Sequence, residues 1–294
     1  MTESCYIVAE HCFSVLASEG IDLSRELAHY APFAVDPATA PERIFRLHVV
    51  PAESFSRPGG LREEFLQDDE GSQIRLARTM EGESWFDFSL WGRRVGWMSV
   101  PTGYAEATLA LQGYKAFGLN NALMVMYALS TARLGTALFH AAVIAYRGRG
   151  YLFLGKSGTG KSTHARLWLK HIPGSELLND DNPVVRVWPD GTVRVYGSPW
   201  SGKTPCYLNQ DYPTGAFVQL SQAPYNAIRR LGGIAAYASL ISSISGKRWD
   251  RALADGLHET ENALAMNVPV WHLECLPDEA AALLCRDTIV QEDK

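Results

Sequence analysis

The strongest chemical signal in the chain is the stretch Tyr-Leu-Phe-Leu-Gly-Lys-Ser-Gly-Thr-Gly-Lys-Ser-Thr at residues 151–163. Gly155, Gly160, Lys161 and Ser162 fill the spacing G-x4-G-K-S/T of a phosphate-binding loop. Each residue type has a physical reason. Glycines let the backbone turn through positive φ and bring its N–H groups up to phosphate oxygens. A helix N-terminus behind them adds free donors and a partial positive charge. Lys161 reaches the β- and γ-phosphates, and the Ser162 hydroxyl takes one position on Mg²⁺. The expected cradle is Gly155, Ser157, Gly158, Thr159, Gly160, Lys161, Ser162 and Thr163, and the implied ligands are ATP and Mg²⁺. A Gly/Ser surface loop is the plain alternative. The apolar run 151–154 before the loop and the amphipathic helix 161–171 after it supply the context the motif requires.

Two carboxylates follow. Asp180 and Asp181 lie about twenty residues past Lys161, in Leu-Leu-Asn-Asp-Asp-Asn-Pro. That is one helix and one connection, which predicts that the strand bearing them returns beside the loop. A carboxylate there can hold Mg²⁺ directly or through water. Two adjacent ones permit a division of labour, one on the metal and one taking a proton from an incoming hydroxyl. A positioned base contributes on the order of 10²–10⁴-fold. The plain alternative is a turn whose side chains cap backbone. Further on, Gly-Ser-Pro-Trp-Ser-Gly-Lys at 197–203 is a loop at a strand end. Gly197 and Gly202 permit close backbone approach and Pro199 stiffens the loop. Lys203 offers a second cation for the γ-phosphoryl group or an anionic acceptor, and Trp200 is expected to wall the acceptor pocket. A hairpin exit with an exposed lysine and a packed tryptophan is the alternative.

These groups need a frame. Residues 1 to about 105 read as mainly β, with strands at 44–50, 85–91 and 95–100, the last two joined at Gly92-Arg-Arg94. Trp85, Trp91 and Trp97 read as packing rather than as a ligand platform, and Gln67-Asp-Asp-Glu70 as a solvated loop. A helix apolar around nearly its whole circumference is expected over 119–134 and must be buried. Residues 137–145 form a strand apolar enough for a sheet interior, with His140 inside it. The turn Arg147-Gly-Arg-Gly150 makes this strand a neighbour of the phosphate-loop strand. Strands at 184–187 and 192–196 flank Pro189-Asp-Gly191 as a hairpin. A strand at 216–220, a helix at 234–244, a strand at 268–274 and a final helix from Pro277 complete the pattern.

At 294 residues, 47% apolar and 20% charged, the chain suits one large or two modest globular domains. A net charge of −5 gives no sign of a nucleic-acid or acidic-lipid partner. No apolar run reaches a membrane span. The N-terminus lacks a signal-peptide pattern. Five scattered cysteines, with no C-x2-C pair, read as reduced thiols, and the chain is expected to be cytoplasmic. His164, His171 and His272 show no metal-ligand spacing and read as structural.

Taken in order, Leu138-Phe-His-Ala-Ala142, the loop 155–163, Asp180-Asp181 and the glycine-containing loop after them resemble HPr kinase/phosphorylase. The related phosphoenolpyruvate carboxykinase core shows the same order, and the likeness covers roughly residues 119–245. The resemblance implies that Lys161 and Ser162 bind phosphate and Mg²⁺, that Asp180 supports the metal and that Asp181 accepts the proton. It also makes His140 an active-site histidine, where a core histidine is otherwise the plain reading. The implied fold class is α/β: a P-loop kinase domain of the HPr kinase/carboxykinase-like type at 106–294, preceded by a smaller β-rich domain at 1–105. The family's Glu-x-Arg-Gly segment is replaced here by Ser-Pro-Trp-Ser-Gly-Lys at 198–203, and the N-terminal region lacks likeness to the family's sensor domain. The expected acceptor is therefore a hydroxyl, such as serine, on a peptide, a carrier protein or a small molecule. Two rival readings stay open: a small-metabolite kinase of the shikimate or nucleotide type, and a nucleotide-gated binding protein without transferase activity; a carboxykinase is a third, weakened because nothing clearly supplies its arginine-based carboxylate site. Homo-oligomerisation is left open.

Overall fold

The computed structural model of the chain describes residues 1–202 and 204–290. It divides into two compact units, Met1–Ser130 and Thr131–Lys294. The first unit holds β1 (Thr2–Val8), β2 (His11–Ala17), β3 (Ala34–Val35), β4 (Arg43–Val50) and β5 (Arg62–Asp69). Then come β6 (Ser72–Arg78), β7 (Ser84–Leu90), β8 (Arg93–Val100), β9 (Glu106–Leu111) and α1 (Lys115–Thr131). Among the described residues these strands form one sheet in the order β3-β1-β2-β4-β9-β8-β7-β6-β5. The expected division at 105/106 falls between β8 and β9, which pair antiparallel from Gly96↔Leu111 to Ser99↔Thr108. The unit therefore extends through α1, whose Tyr127 hydroxyl donates to the Val8 carbonyl at 3.0 Å.

Strand β7 does not alternate buried and exposed residues, because Trp85, Phe86, Asp87 and Phe88 are all buried. Trp85 and Trp97 pack with Ala110 in a small core under Val50, Phe55 and Leu61. Trp97 Nε1 also donates to the Phe55 carbonyl at 2.7 Å. These two tryptophans are packing residues; Trp91 sits exposed on the β7–β8 turn against Tyr114. The acidic stretch 67–69 is the end of exposed edge strand β5, not a loop.

The second unit holds β10 (Thr136–Leu138), β11 (Ala141–Tyr146), β12 (Arg149–Leu154), α2 (Lys161–His171), β13 (Glu176–Asn179), β14 (Val184–Val187) and β15 (Val193–Tyr196). It continues with β16 (Asp211–Gln222), β17 (Ala227–Leu231), α3 (Gly233–Ile241), α4 (Arg251–Asn267), β18 (Val270–Cys275) and α5 (Glu279–Ile289). The sheet runs β10-β14-β15-β16-β12-β11-β13, and β18 pairs with both β16 and β17. Strands β12, β16 and β18 are mutually parallel. Their carboxyl ends, Leu154, Gln222 and Cys275, therefore share one edge, which is where ligands of open α/β sheets bind.

One face of this sheet is covered by α2 and α5. Tyr151 and Phe153 of β12 pack against Ala165, Trp168 and Ile172 of α2, with Ala282, Cys285 and Ile289 of α5 in the same core. Trp168 is fully buried, and truncating such a residue typically costs about 3–5 kcal/mol. This packing fixes where α2 begins and hence where the loop before it points. No described helix is long and apolar enough to cross a membrane.

Candidate functional site

The chain leaves β12 at Leu154, turns through 155–160 and enters α2 at Lys161. Gly158 and Gly160 adopt φ of +79° and +107°, which a side chain would strain. The turn closes with the Thr159 N–H on the Lys156 carbonyl at 3.1 Å. Ser157 and Gly158 are exposed, while Ser162 and Thr163 are half-buried in the first turn of α2. Lys161 is buried, and its ammonium donates to the Gly155 carbonyl (2.9 Å), the Lys156 carbonyl (3.3 Å) and His140 Nε2 (2.8 Å).

His140 reaches the loop because the expected single strand 137–145 is broken. Residues 139 and 140 separate β10 from β11, and their backbone is claimed by other segments. The Phe139 N–H donates to the Pro183 carbonyl (3.0 Å), the His140 N–H to the Ser243 carbonyl (2.7 Å) and the Ala141 N–H to the Asp181 carbonyl (2.9 Å). Because β11 runs antiparallel to β12 with Ala141 opposite Leu154, the residue just before β11 lies beside the start of the loop. An ammonium only donates, so Nε2 of His140 accepts from Lys161 and Nδ1 holds the ring hydrogen. That nitrogen stands 3.1 Å from Asp181 Oδ1. Lys161, His140 and Asp181 thus stand in one line, the first two joined by a hydrogen bond and the last two by close approach.

The carboxylates come from the end of β13, though not beside the loop strand as the spacing predicts. β13 pairs with β11, which intervenes. Its antiparallel run against β11 still brings its carboxyl end to the same sheet edge. A buried polar frame then fixes the two acids. Asn179 Oδ1 accepts from the Asp181 N–H (2.9 Å) while Nδ2 donates to Ser198 Oγ (3.1 Å). Ser198 Oγ donates to the Asn182 carbonyl (2.6 Å) and accepts from the Trp200 N–H (3.1 Å). Asp181 Oδ2 accepts from Asn182 Nδ2 at 2.8 Å. Asp180 differs. It is buried, and its Oδ1 has no hydrogen-bond partner. Burial, and then the negative charge of Asp180, push the Cys206 thiol pKa up.

The loop after β15 does approach these acids, as its glycines suggest. A Cβ on Gly202 would stand 3.1 Å from the Asp180 carbonyl oxygen and 3.2 Å from Asp181 Cβ. Trp200, however, is 1% exposed and belongs to the interior, so it does not wall an open pocket. Its carbonyl accepts from the Asn182 N–H at 3.1 Å, making the loop a brace for the acids. Lys203 lies outside the described residues.

Sequence reasoning missed Asn179 and Ser198, the residues that hold the acids in place. The available signal was a polar residue closing an apolar run directly before the paired aspartates. His164 is structural, as its lack of metal-ligand spacing suggested. His164 is buried on α2 and accepts from Trp168 Nε1 at 3.2 Å, and burial lowers its pKa to about 4. Among the described residues no three His, Cys, Asp or Glu side chains gather as a metal cage. The unpaired Asp180 oxygen and the Ser162 hydroxyl are hard oxygen donors, the type Mg²⁺ takes together with phosphate oxygens and water.

No protein-family model matches the sequence, and no curated protein does. Among solved structures the chain is similar to the Hpr(Ser) kinase/phosphatase from Coxiella burnetii, at 14% identity over 51% of this chain and 86% of that one. The TM-score is 0.31. The likeness is distant, and the site geometry stands without it.

Proposed function

We propose that the chain is an ATP-dependent kinase that transfers a γ-phosphoryl group to a hydroxyl, such as serine, of a peptide, a protein or a small molecule. The supporting observation is the line from Lys161, hydrogen-bonded to His140, to Asp181, whose Oδ1 stands 3.1 Å from the same ring; it sets a carboxylate beside the loop. In this reading the loop amides and Lys161 hold the donor phosphates, and Lys161 exchanges its carbonyl partners for phosphate oxygens. Asp181 takes the proton of the acceptor hydroxyl as its oxygen bonds to the γ-phosphorus and the bond to the ADP oxygen breaks. His140, between Lys161 and Asp181, positions the carboxylate. Ser162 and Asp180 would hold Mg²⁺, which supplies charge neutralisation on the phosphates.

The test is phosphoryl transfer from γ-labelled ATP to a library of serine-containing peptides and small alcohols. Lys161→Ala is expected to abolish transfer while far-UV and near-UV circular dichroism stay unchanged, because it removes the charge on the β/γ-phosphates. A folded variant that still transfers at the wild-type rate would rule the kinase reading out.

A further inference from the structure

At the far end of β10 and β14 from His140 lies a cavity of about 430 Å³. That volume falls within the ~300–1,000 Å³ typical of small-molecule sites. One wall is the end of β14, through Arg186 and Trp188. Another is the segment before β10, through Arg133 and Leu134, and the third is α4, through Glu259 and Ala263.

Glycines decide where these walls touch and where they part. A Cβ on Gly256 of α4 would stand 2.6 Å from the Ala132 carbonyl oxygen and 2.9 Å from Arg133 Cα, so the helix is pressed onto that backbone. At the other end Gly191, with φ of +84°, lets the β14–β15 turn meet the last residue of α4; a Cβ there would stand 3.4 Å from Asn267 Oδ1. Between the two contacts α4 runs on for about 16 Å, and Glu259 and Ala263 lie in that span, facing the cavity. The opposite walls are pinned by backbone. The Val187 N–H donates to the Gly135 carbonyl (2.8 Å), the Trp188 N–H to the Thr192 carbonyl (2.8 Å) and the Gly191 N–H to the Trp188 carbonyl (2.9 Å). The space is therefore built into the fold and does not await a ligand to open it.

Its lining sets two guanidiniums, Arg133 and Arg186, against one carboxylate, Glu259, in a chain whose net charge is −5. The Arg186 guanidinium carbon sits 4.1 Å from the centroid of the Trp188 ring, well inside the ~6 Å of a cation–π contact. The cation is thus held at an aromatic wall. Arg133 is exposed and makes no ion pair among the described residues. A guanidinium matches the plane of a carboxylate and binds it bidentately. Trp188, Leu134 and Ala263 add the apolar surface that suits a flat body.

We propose that this cavity binds a small organic acid, its carboxylate on Arg133 and Arg186 and its flat apolar body against Trp188 and α4. The site is separate from the loop 155–160, and the proposal stands or falls independently of the kinase reading.

The test titrates benzoate, naphthoate, their neutral amides and phenyl phosphate into the full chain by calorimetry. At least one acid is expected to bind with a Kd below about 1 mM and about tenfold more tightly than its amide. Arg186→Met should cut acid affinity about tenfold, as expected for lost hydrogen bonds to a charged group, and leave the amides as they were. Arg133→Met, at an exposed position that the fold tolerates, should cost about threefold. Ala263→Trp fills the cavity from the α4 side and should abolish acid binding with circular dichroism unchanged. Absence of acid binding, equal affinity for acids and amides, or two silent arginine variants overturns the proposal, as does a folded Ala263→Trp that binds like the wild type. Tighter binding of phenyl phosphate than of benzoate overturns the carboxylate assignment.

Discussion

The two flanks of the loop 155–160 are built on opposite rules. Toward β11 and β13 the surroundings are polar and wired: Lys161 is hydrogen-bonded to His140, which stands 3.1 Å from Asp181, and Asp181, Asn182, Asn179 and Ser198 are linked by hydrogen bonds. Toward β16 and β18 the surroundings are mostly apolar, Leu276 and Pro277 among them, and enclose space. Each flank keeps a buried atom unanswered, and the two differ in kind. Asp180 Oδ1 is an acceptor that suits a cation, whereas His164 Nδ1 is a ring nitrogen buried without a partner. The difference teaches how one loop can serve two tasks. Preorganised charge suits a transferring group, and shape with few polar contacts suits recognition of a bound molecule.

The sharpest way to break this contrast is on the wired flank. Asp181→Asn is expected to cut transfer by on the order of 10²–10⁴-fold with little change in nucleotide affinity, since it removes a base and not the cradle. Asp180→Asn should instead raise the Mg²⁺ concentration needed for half-maximal rate. Metal titrations of both variants decide the matter; two silent variants would place the chemistry elsewhere.

The apolar flank is tested by acid. Burial holds the folded-state pKa of His164 at about 4, below its ordinary 6.5, so the unfolded chain binds the extra proton. The stability this group permits is complete above pH 6.5 and is lost as pH falls from 6.5 through 4, to a limit of about 3 kcal/mol. Denaturant midpoints measured across that window should fall for the wild type and fall less for His164→Phe. Parallel curves would mean that the ring is not buried neutral.

The smallest effect belongs to the brace. Ser198 is fully buried with its hydroxyl shared between Asn179, Asn182 and Trp200. Ser198→Ala should destabilise the chain by about 1–3 kcal/mol, because it leaves buried partners unanswered. Transfer should drop further than tripolyphosphate binding does. A thermal melt and a rate measurement on the same preparation check both halves, and an unchanged melting temperature would remove the brace from the account.

Much of this was legible locally. The strand, loop and helix at 151–171 announce themselves through glycine spacing and a change from a run of apolar residues to helical periodicity. The hairpin at 184–196 is written in Pro189-Asp-Gly191, and Asp278 capping α5 through the Ala281 N–H at 2.8 Å follows from its residue type. What stayed hidden depends on distant partners. The break at Phe139-His140 sits in an unbroken apolar run, and only pairing with Ser243, Pro183 and Asp181 shows it. Helix α4 was overlooked because its apolar positions are interrupted by Asp255, His258 and Glu261. The last of these is buried with Arg248 paired to it at 2.7 Å and the Tyr237 hydroxyl donating to it at 3.0 Å. The boundary after α1 was hidden for the same reason: β9 joins β4, Arg43–Val50, from far along the chain.

The parallel run of β12, β16 and β18 also bears on how the molecule is made. The β11–β12 hairpin and α2 are close in sequence and can form early in synthesis, so the loop 155–160 acquires its outline on a partial chain. The Leu276–Pro277 wall is translated much later and must then find its place beside strands already folded, a non-local step that is intrinsically slow. A growing chain thus passes through a stage in which the loop exists and its neighbouring chamber does not.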